Sequence, residues 1–413
     1  MLRKKTKNIL VGLDVGTTKI CAVVAERDEK DVRILGIGYA PSQGLRKGMV
    51  INVEKTVEAI RKSIAMAEEK TDVDIYTVFA GIAGGHIQSI TSRGVVPISG
   101  SHGEITEDDI KKVVNAAKAI SLPMEREIIH TIPQEFIVDG QGGILDPRGM
   151  SGIRLEALVN VITAAISSAQ NIIKSINKAD VEVVGIVLQP IASSIATLTK
   201  EERESGVVLI DIGGGTTDFA LFVEGSLRHS GVLAIGGDHV TNDIKMRFNI
   251  PTNRAEEAKI KFGCALMNIV DENEEFILPG TFGYPARSML RKELSFVIES
   301  RMREILEIVK SEIEKTGKAH QIGAGLVMTG GASLMQGALE MAQEIFHVPV
   351  RLGIPQNVAG LLEEYKSPIY STGIGLVMYG TDNLEQDGFY DMDDNNVFEK
   401  VVGSVKEMIK KYF

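Results

Sequence analysis

The feature that most restricts this chain is an internal duplication. Ile9-Leu10-Val11-Gly12-Leu13-Asp14-Val15-Gly16-Thr17-Thr18-Lys19 is echoed by Val208-Leu209-Ile210-Asp211-Ile212-Gly213-Gly214-Gly215-Thr216-Thr217-Asp218. Each copy reads as an apolar strand, an Asp, an apolar residue, glycine, a Thr-Thr pair and a returning strand. The long period excludes a solenoid, whose repeats are short, and indicates two related domains. Each would present one glycine-rich hairpin to a shared cleft.

The 413 residues allow more than one domain, and 44% hydrophobic against 24% charged residues is a globular balance. A net charge of -10 argues against a general nucleic-acid binder, which needs a basic surface. Cys21 and Cys264 stand alone among apolar residues and read as small core side chains rather than a disulfide or metal pair. The start, Met1 to Lys7, is basic, but the apolar run after it is broken by Asp14 and is too short for a signal-peptide core. No stretch reaches the roughly 18 apolar residues of a membrane span, so a cytosolic chain is expected unless something anchors it from one side of a bilayer.

Along the chain, strands are expected over 8–15, 19–26 and 32–40, then a helix over 53–70, where Val57, Ile60, Ile64 and Ala67 recur at helical spacing. Residues 85–162 read as a unit of their own. In it, 87–99 alternates like a hairpin and 106–120 is a helix opened by a Thr106/Asp109 capping box. The longest helix is expected over 294–314, with Gly317 beyond its end. A further strand, 325–328, runs into Thr329-Gly330-Gly331-Ala332-Ser333. Residues 381–396 hold six acids and no Lys or Arg and read as a flexible linker.

Glycine at the hairpin turns lets backbone N–H groups approach phosphate oxygens, and threonine hydroxyls add donors. Asp14 and Asp211 offer hard oxygens to a hydrated Mg2+. Lys19 would add a cation near the phosphate chain. One such turn would be an ordinary hairpin; two in the same order, with a third glycine-rich turn at Gly330, point to a nucleotide cleft. No Walker A loop occurs, and no Rossmann fingerprint follows the first strand.

These residues resemble the actin, Hsp70 and sugar-kinase superfamily over about 8–380. The fold implied is α/β: a duplicated actin-like (ribonuclease H-like) fold with two lobes around a nucleotide cleft, plus an inserted α+β subdomain. By that resemblance ATP contacts would come from Gly16, Thr17, Thr18 and Lys19, from Gly213, Gly214, Gly215, Thr216 and Thr217, from Gly236 and Gly237, and from Gly330, Gly331 and Ala332. Glu256 and Lys259 would reach the ribose and adenine, or else form a solvated helix face. Gln189 falls where the superfamily orients an attacking water, or is a hinge cap. Glutamine is a poor base, so at most slow ATP hydrolysis is implied.

Within the superfamily, Gly44-Leu45-Arg46-Lys47-Gly48, Ile132-Pro133-Gln134-Glu135-Phe136, Asp146-Pro147-Arg148-Gly149-Met150-Ser151-Gly152 and the insert after Gly85 resemble the FtsA family of bacterial cell division. The implied division is 1–84 with 163–200, an insert 85–162, 201–240 with 326–380, a helical part 241–325, a linker 381–396 and a terminal helix 397–413. In that helix Phe398, Val401, Val402, Val405, Met408, Ile409, Tyr412 and Phe413 share one face, and Lys406, Lys410 and Lys411 lie on the other. At 1.5 Å per residue it spans only about 24 Å. It would either pack on its own domain or lie in a membrane interface, favoured by anionic lipid.

The resemblance also implies self-assembly into filaments and docking of the C-terminal peptide of FtsZ on the helical part, where an exposed Arg301 and Arg303 would meet an acidic peptide. Recruitment of later divisome membrane proteins, and a place on the cytoplasmic face of the membrane at the septum, are implied too. Rival readings are an MreB- or PilM-like scaffold and a sugar or acetate kinase.

Overall fold

The computed structural model describes residues 8–28, 31–100, 103–280 and 285–386. The chain opens with β1 (Ile9–Val15), β2 (Lys19–Asp28), β3 (Asp31–Pro41), a small hairpin of β4 (Leu45–Arg46) and β5 (Met49–Val50), α1 (Val53–Thr71) and β6 (Thr77–Ile82). It then builds β7 (Gln88–Pro97), α2 (Glu107–Lys118), β8 (Arg126–Val138), β9 (Gln141–Ile144) and β10 (Arg154–Ala165), and returns through α3 (Ile166–Asn177), β11 (Glu182–Leu188), α4 (Gln189–Thr197) and α5 (Lys200–Ser205). The second half runs β12 (Val207–Ile212), β13 (Thr217–Val223), β14 (Ser226–Leu233), α6 (Gly237–Phe248), α7 (Thr252–Phe262), β15 (Glu275–Leu278), β16 (Arg287–Leu290) and α8 (Arg291–Lys315). It ends with β17 (Leu326–Thr329), α9 (Ala338–Phe346), β18 (Val350–Leu352) and α10 (Ser371–Gln386).

The duplication holds at the level of topology. One five-stranded sheet has the order β11-β6-β1-β2-β3 and the other β14-β13-β12-β17-β18. In each, three antiparallel strands from consecutive hairpins are extended by two parallel strands that arrive through crossovers. The strands β12 and β13 are buried on both faces, as a near-continuous apolar run requires. Val207 and Leu209 join the core shared with the first sheet, while Val208, Ile210 and Ile212 face the helices α6, α8 and α9. By the strand period of two, Asp211 lies on the side facing the first lobe.

The insert forms a separate four-stranded sheet, β7-β10-β8-β9, covered by α2 through Val113, Ala117, Leu155 and Val159. The expected capping box is present: the Thr106 side chain accepts from Asp109 N, and the Asp109 carboxylate accepts from Thr106 N. The expected hairpin over 87–99 is not. Those residues form one strand, β7, paired along its length with β10 from Thr163↔Gln88 to Arg154↔Pro97. Alternation marks a half-buried strand but does not name its partner, and here the partner is distant in sequence.

The longest helix, α8, is observed over Arg291–Lys315, with Gly317 just past it at φ 68. Cys21 and Cys264 are buried and free. The linker expected from residue 381 begins too early, since α10 continues to Gln386 and Thr381 within it is buried. Residues 387–413, and with them the amphipathic face from Phe398 to Phe413, lie outside the described residues. Among the described residues no helix is long and apolar enough to cross a membrane.

Candidate nucleotide cleft

The two hairpins close with the same bond. Gly16 N donates to Lys19 O at 3.0 Å, and Gly213 N donates to Thr216 O at 3.0 Å. The cross-strand register then fixes the true correspondence: Asp14↔Cys21 and Val15↔Ile20 in the first copy, Asp211↔Asp218 and Ile212↔Thr217 in the second. Thr17 and Thr18 therefore match Gly214 and Gly215, not Thr216 and Thr217. The Thr-Thr pair recurs in the order of residues but not at one structural position.

The hairpins meet tip to tip. A Cβ on Gly214 would overlap Thr18 Oγ1, and one on Gly215 would overlap Thr17 Oγ1. The glycines of the second hairpin are empty because the threonines of the first fill that space. Gly48 N donates to Thr17 Oγ1 at 3.0 Å, which brings the β4–β5 turn against the same tip. A cavity of about 410 Å³ opens there, lined by Arg46, Lys47, Gly215, Asp238, His239 and Asn242.

The remaining expected residues gather on the second lobe. Gly237 N donates to Gly213 O at 2.9 Å and Asp238 N to Gly214 O at 2.8 Å, so the start of α6 is tied to the second hairpin. Lys259 on α7 donates to Gly237 O at 3.1 Å and Thr241 Oγ1 at 2.9 Å, and pairs with Glu256 at 2.7 Å. Glu256 also accepts from the Thr241 hydroxyl. Their side of α7 is packed on α6 and is not a solvated face. Ala332 lies 3.8 Å from where a Gly237 Cβ would stand. Gly330, at φ 83, runs past Asp211 so closely that any Cβ would overlap Asp211 Oδ1.

From the first lobe, Gln189 opens α4 and donates through Nε2 to Asp14 Oδ1 at 3.0 Å. Lys19 donates to Ile369 O at 2.9 Å and lies 4.3 Å over the Tyr370 ring, so its ammonium is turned to the segment before α10. It remains near enough to favour the charged forms of Asp14 and Asp211.

Electrostatically the cleft floor is short of cations. Burial pushes the Asp14 carboxyl up to about 6, Lys19 opposing and Asp211 adding to the shift. Burial also raises Asp211, against hydrogen bonds from Ser193 and Thr372. Asp218 is raised well above the carboxylate range by burial and by the charge of Asp211, and its Oδ1 is buried without a hydrogen-bond partner. Like charges side by side on one sheet face are unfavourable unless a cation joins them. Among the described residues no three His, Cys, Asp or Glu side chains converge on one metal position. The set fits a hydrated Mg2+, which keeps several waters and shares its remaining ligands with phosphate.

Asp218, Ser193, Thr372, Arg46 and Lys47 were not singled out as site residues from the sequence. Asp218 was legible, since it stands opposite Asp211 once the turn is counted. Ser193 and Thr372 carry no motif. Arg301 and Arg303, expected as exposed cations, are half-buried and already paired. Arg301 bonds Asp243 at 2.6 Å and also Glu304, and Arg303 bonds Glu299 at 3.2 Å and lies 3.7 Å from Glu344. A sequence shows the charge on α8 but not the carboxylates that α6 and α9 bring beside it.

The family model described as cell division protein FtsA matches residues 208–375, and that of the SHS2 domain inserted in FtsA matches residues 84–163. The chain is 44% identical to the cell division protein FtsA of Pseudomonas aeruginosa, covering 92% of this chain and 91% of the relative. To FtsA of Escherichia coli K12 it is 38% identical, covering 100% and 98%. Among solved structures, the PilM-PilN type IV pilus biogenesis complex superposes with a TM-score of 0.66 at 16% identity, covering 90% of this chain and 98% of that one. MreB5 of Spiroplasma citri bound to ADP superposes with a TM-score of 0.53 at 15% identity, covering 92% and 99%. The latter two show an actin-like fold, and the sequence relatives show more: this chain belongs to the FtsA family of cell-division proteins.

Proposed function

We propose that the chain binds ATP with Mg2+ between its two hairpins, polymerises on the inner face of the cytoplasmic membrane, and tethers FtsZ filaments there at the division septum, recruiting later divisome membrane proteins. The observation that carries the reading is the pair of facing Asp-Gly hairpins over a floor of buried carboxylates, in a chain related along its length to FtsA proteins. Backbone N–H groups of Gly214 and Gly215 and the hydroxyls of Thr17 and Thr18 would hold phosphates, the Gly213 N–H being used in the turn bond to Thr216 O. Gly330 to Ala332, Glu256 and Lys259 would hold the nucleoside. Asp14 and Asp211 would hold a hydrated Mg2+, which would supply positive charge beside the phosphates.

Gln189 is already hydrogen-bonded to Asp14 and carries no proton-accepting base. It can orient water but not deprotonate it, which supports a slow ATPase used as a switch. Closure of the lobes around ATP would favour filament contacts. Many terminal helices on one filament would then bind anionic lipid with multiplied avidity. The C-terminal peptide of FtsZ would dock on the helical region within 241–325. Because Arg301 and Arg303 are paired in the chain, an acidic peptide would have to exchange with Asp243, Glu304 or Glu299 to use them. The subdomain limits given above, except the start of the linker at residue 381, are part of the same proposal.

The test is vesicle pelleting with anionic lipid, with and without ATP-Mg2+, for the full chain and for a truncation after Asn396. Pelleting of the full chain alone, strengthened by ATP, supports the reading. If both stay in the supernatant, the tail is not a membrane anchor.

A further inference from the structure

Helices α4 and α10 pack together beside the first sheet, and both reach across to the second lobe at one atom. Ser193 on α4 donates to Asp211 Oδ2 at 2.6 Å, and Thr372 on α10 donates to the same oxygen at 3.2 Å. The two hydroxyls lie 2.9 Å apart. Oδ2 is thereby occupied, the carboxylate plane is fixed, and Oδ1 faces Gly330. All four residues are buried or glycine.

The segment leading into α10 is bound to the other parts of the cleft. Lys19 Nζ donates to Ile369 O, Gly330 N donates to Pro368 O at 3.3 Å, and Thr329 and Ser371 hydroxyls lie 2.8 Å apart. Residues 368–372 therefore touch the first hairpin, the second hairpin and the third glycine-rich turn.

The helix that begins there is weak on its own. It contains Gly373, Gly375 and Gly380, and glycine in a helix interior is less favourable than alanine. A helix of this length with three glycines is not stable alone in water. The glycines sit where α10 touches its neighbours: a Cβ on Gly375 would overlap Ala192 O of α4, and one on Gly373 would stand 2.8 Å from Val23. Helix α10 exists by docking, its first turn docks on Asp211, and the chain continues from its end into the acidic stretch and the amphipathic tail.

We propose that the Ser193–Thr372 hydroxyl pair positions Asp211 for the nucleotide's divalent cation, and that Thr372 makes the docking of α10 depend on what the cleft holds. The inference rests on the nucleotide reading above. Asp211 Oδ2 holds Thr372, and Thr372 holds the first turn of a helix that has little stability of its own, so a cation held by Asp211 would strengthen that docking.

The experiment uses the full chain and ATP, with Mg2+ or with EDTA. Calorimetry reads binding, and hydrogen exchange reads amides 374–381. In the natural protein, ATP-Mg2+ should slow exchange in that segment several-fold. Thr372→Val keeps the shape and removes the hydroxyl. It should weaken Mg2+-dependent ATP binding about tenfold, leave binding in EDTA nearly unchanged, and abolish the slowed exchange. Thr372→Ser should restore both, and Ser193→Ala should weaken Mg2+-dependent binding while sparing part of the protection. Unchanged Mg2+-dependent binding in Thr372→Val, equal weakening with and without Mg2+, or full protection in that variant would overturn the proposal. If the natural chain binds no ATP, the nucleotide reading itself falls, and that outcome needs no variant to recognise.

Discussion

The β1–β2 and β12–β13 hairpins share a span, a turn bond and a position in their sheets, yet they have divided the work between them. The first carries side chains at its tip, Thr17, Thr18 and Lys19, and sets neutral Cys21 opposite Asp14. The second carries bare backbone at its tip, Gly213 to Gly215, and sets a second carboxylate, Asp218, opposite Asp211. The contact between tips explains the division, because two loops that occupy one space cannot both carry side chains. The two copies diverge by complementarity where they touch: the first tip carries hydroxyls and the second the bare backbone that leaves room for them.

The comparison breaks most severely if the second tip is filled. Gly214→Val would drive a side chain into Thr18 and hold the hairpins apart. ATP-Mg2+ binding measured by calorimetry should weaken by at least about a hundredfold, since overpacking costs about 1–3 kcal/mol before the lost phosphate contacts are counted. Thr18→Gly added to it should recover part of that loss, whereas Thr18→Gly alone should weaken binding modestly. An additive double variant would show that the tips do not share space in solution.

A smaller effect should follow from the acids. The folded pKa of Asp14 stands at about 6 against 3.8 in the unfolded chain. Between those values the folded protein holds a proton that the unfolded chain has released. Its contribution is therefore largest below about pH 4, falls as pH rises to about 6, and is flat above. Asp14→Asn removes the term and should make the metal-free protein more stable at pH 7 by about 3 kcal/mol at most, by denaturant melts. Near pH 4 the gain should vanish, and a gain independent of pH would contradict it. With ATP-Mg2+ present the order should reverse, because the variant lacks the charge that the cation needs.

A last comparison sharpens the difference between Cys21 and Asp218. Asp218→Asn removes a buried carboxyl that burial and Asp211 hold far above its ordinary range, and should raise the melting temperature of the metal-free protein at pH 7, a gain that shrinks toward pH 4. Cys21→Asp, which copies the second hairpin into the first, should lower it. Equal shifts of one sign from both would mean that the hairpins are electrostatically alike.

Much of this was readable in advance, because it depends on local rules. The turn glycines, the Thr106/Asp109 capping box, the apolar β12 run and the helical face of α8 each follow from residues within a few positions of one another. What failed was pairing. Strand β7 alternates whatever strand it meets, so its union with β10 was invisible. Arg301 and Arg303 looked free because Asp243 and Glu344 belong to other helices. The linker expected from residue 381 starts inside α10, because the acids that mark it do not record the docking surface that carries the helix to Gln386.

The sequence by itself determined that two related hairpins with Asp and glycine exist, and hence the class of fold, since strand period, turn chemistry and duplication are properties of neighbouring residues. Only the tertiary structure decided how the copies correspond, that Thr18 fills the space left by Gly214, that Asp218 joins Asp14 and Asp211 on one floor, and that Ser193 and Thr372 meet on Asp211. Those facts depend on contacts between distant segments, Ser193 and Thr372 being 179 residues apart. Chain closure over such distances is set by the packing of whole sheets and helices, not by any short run of residues.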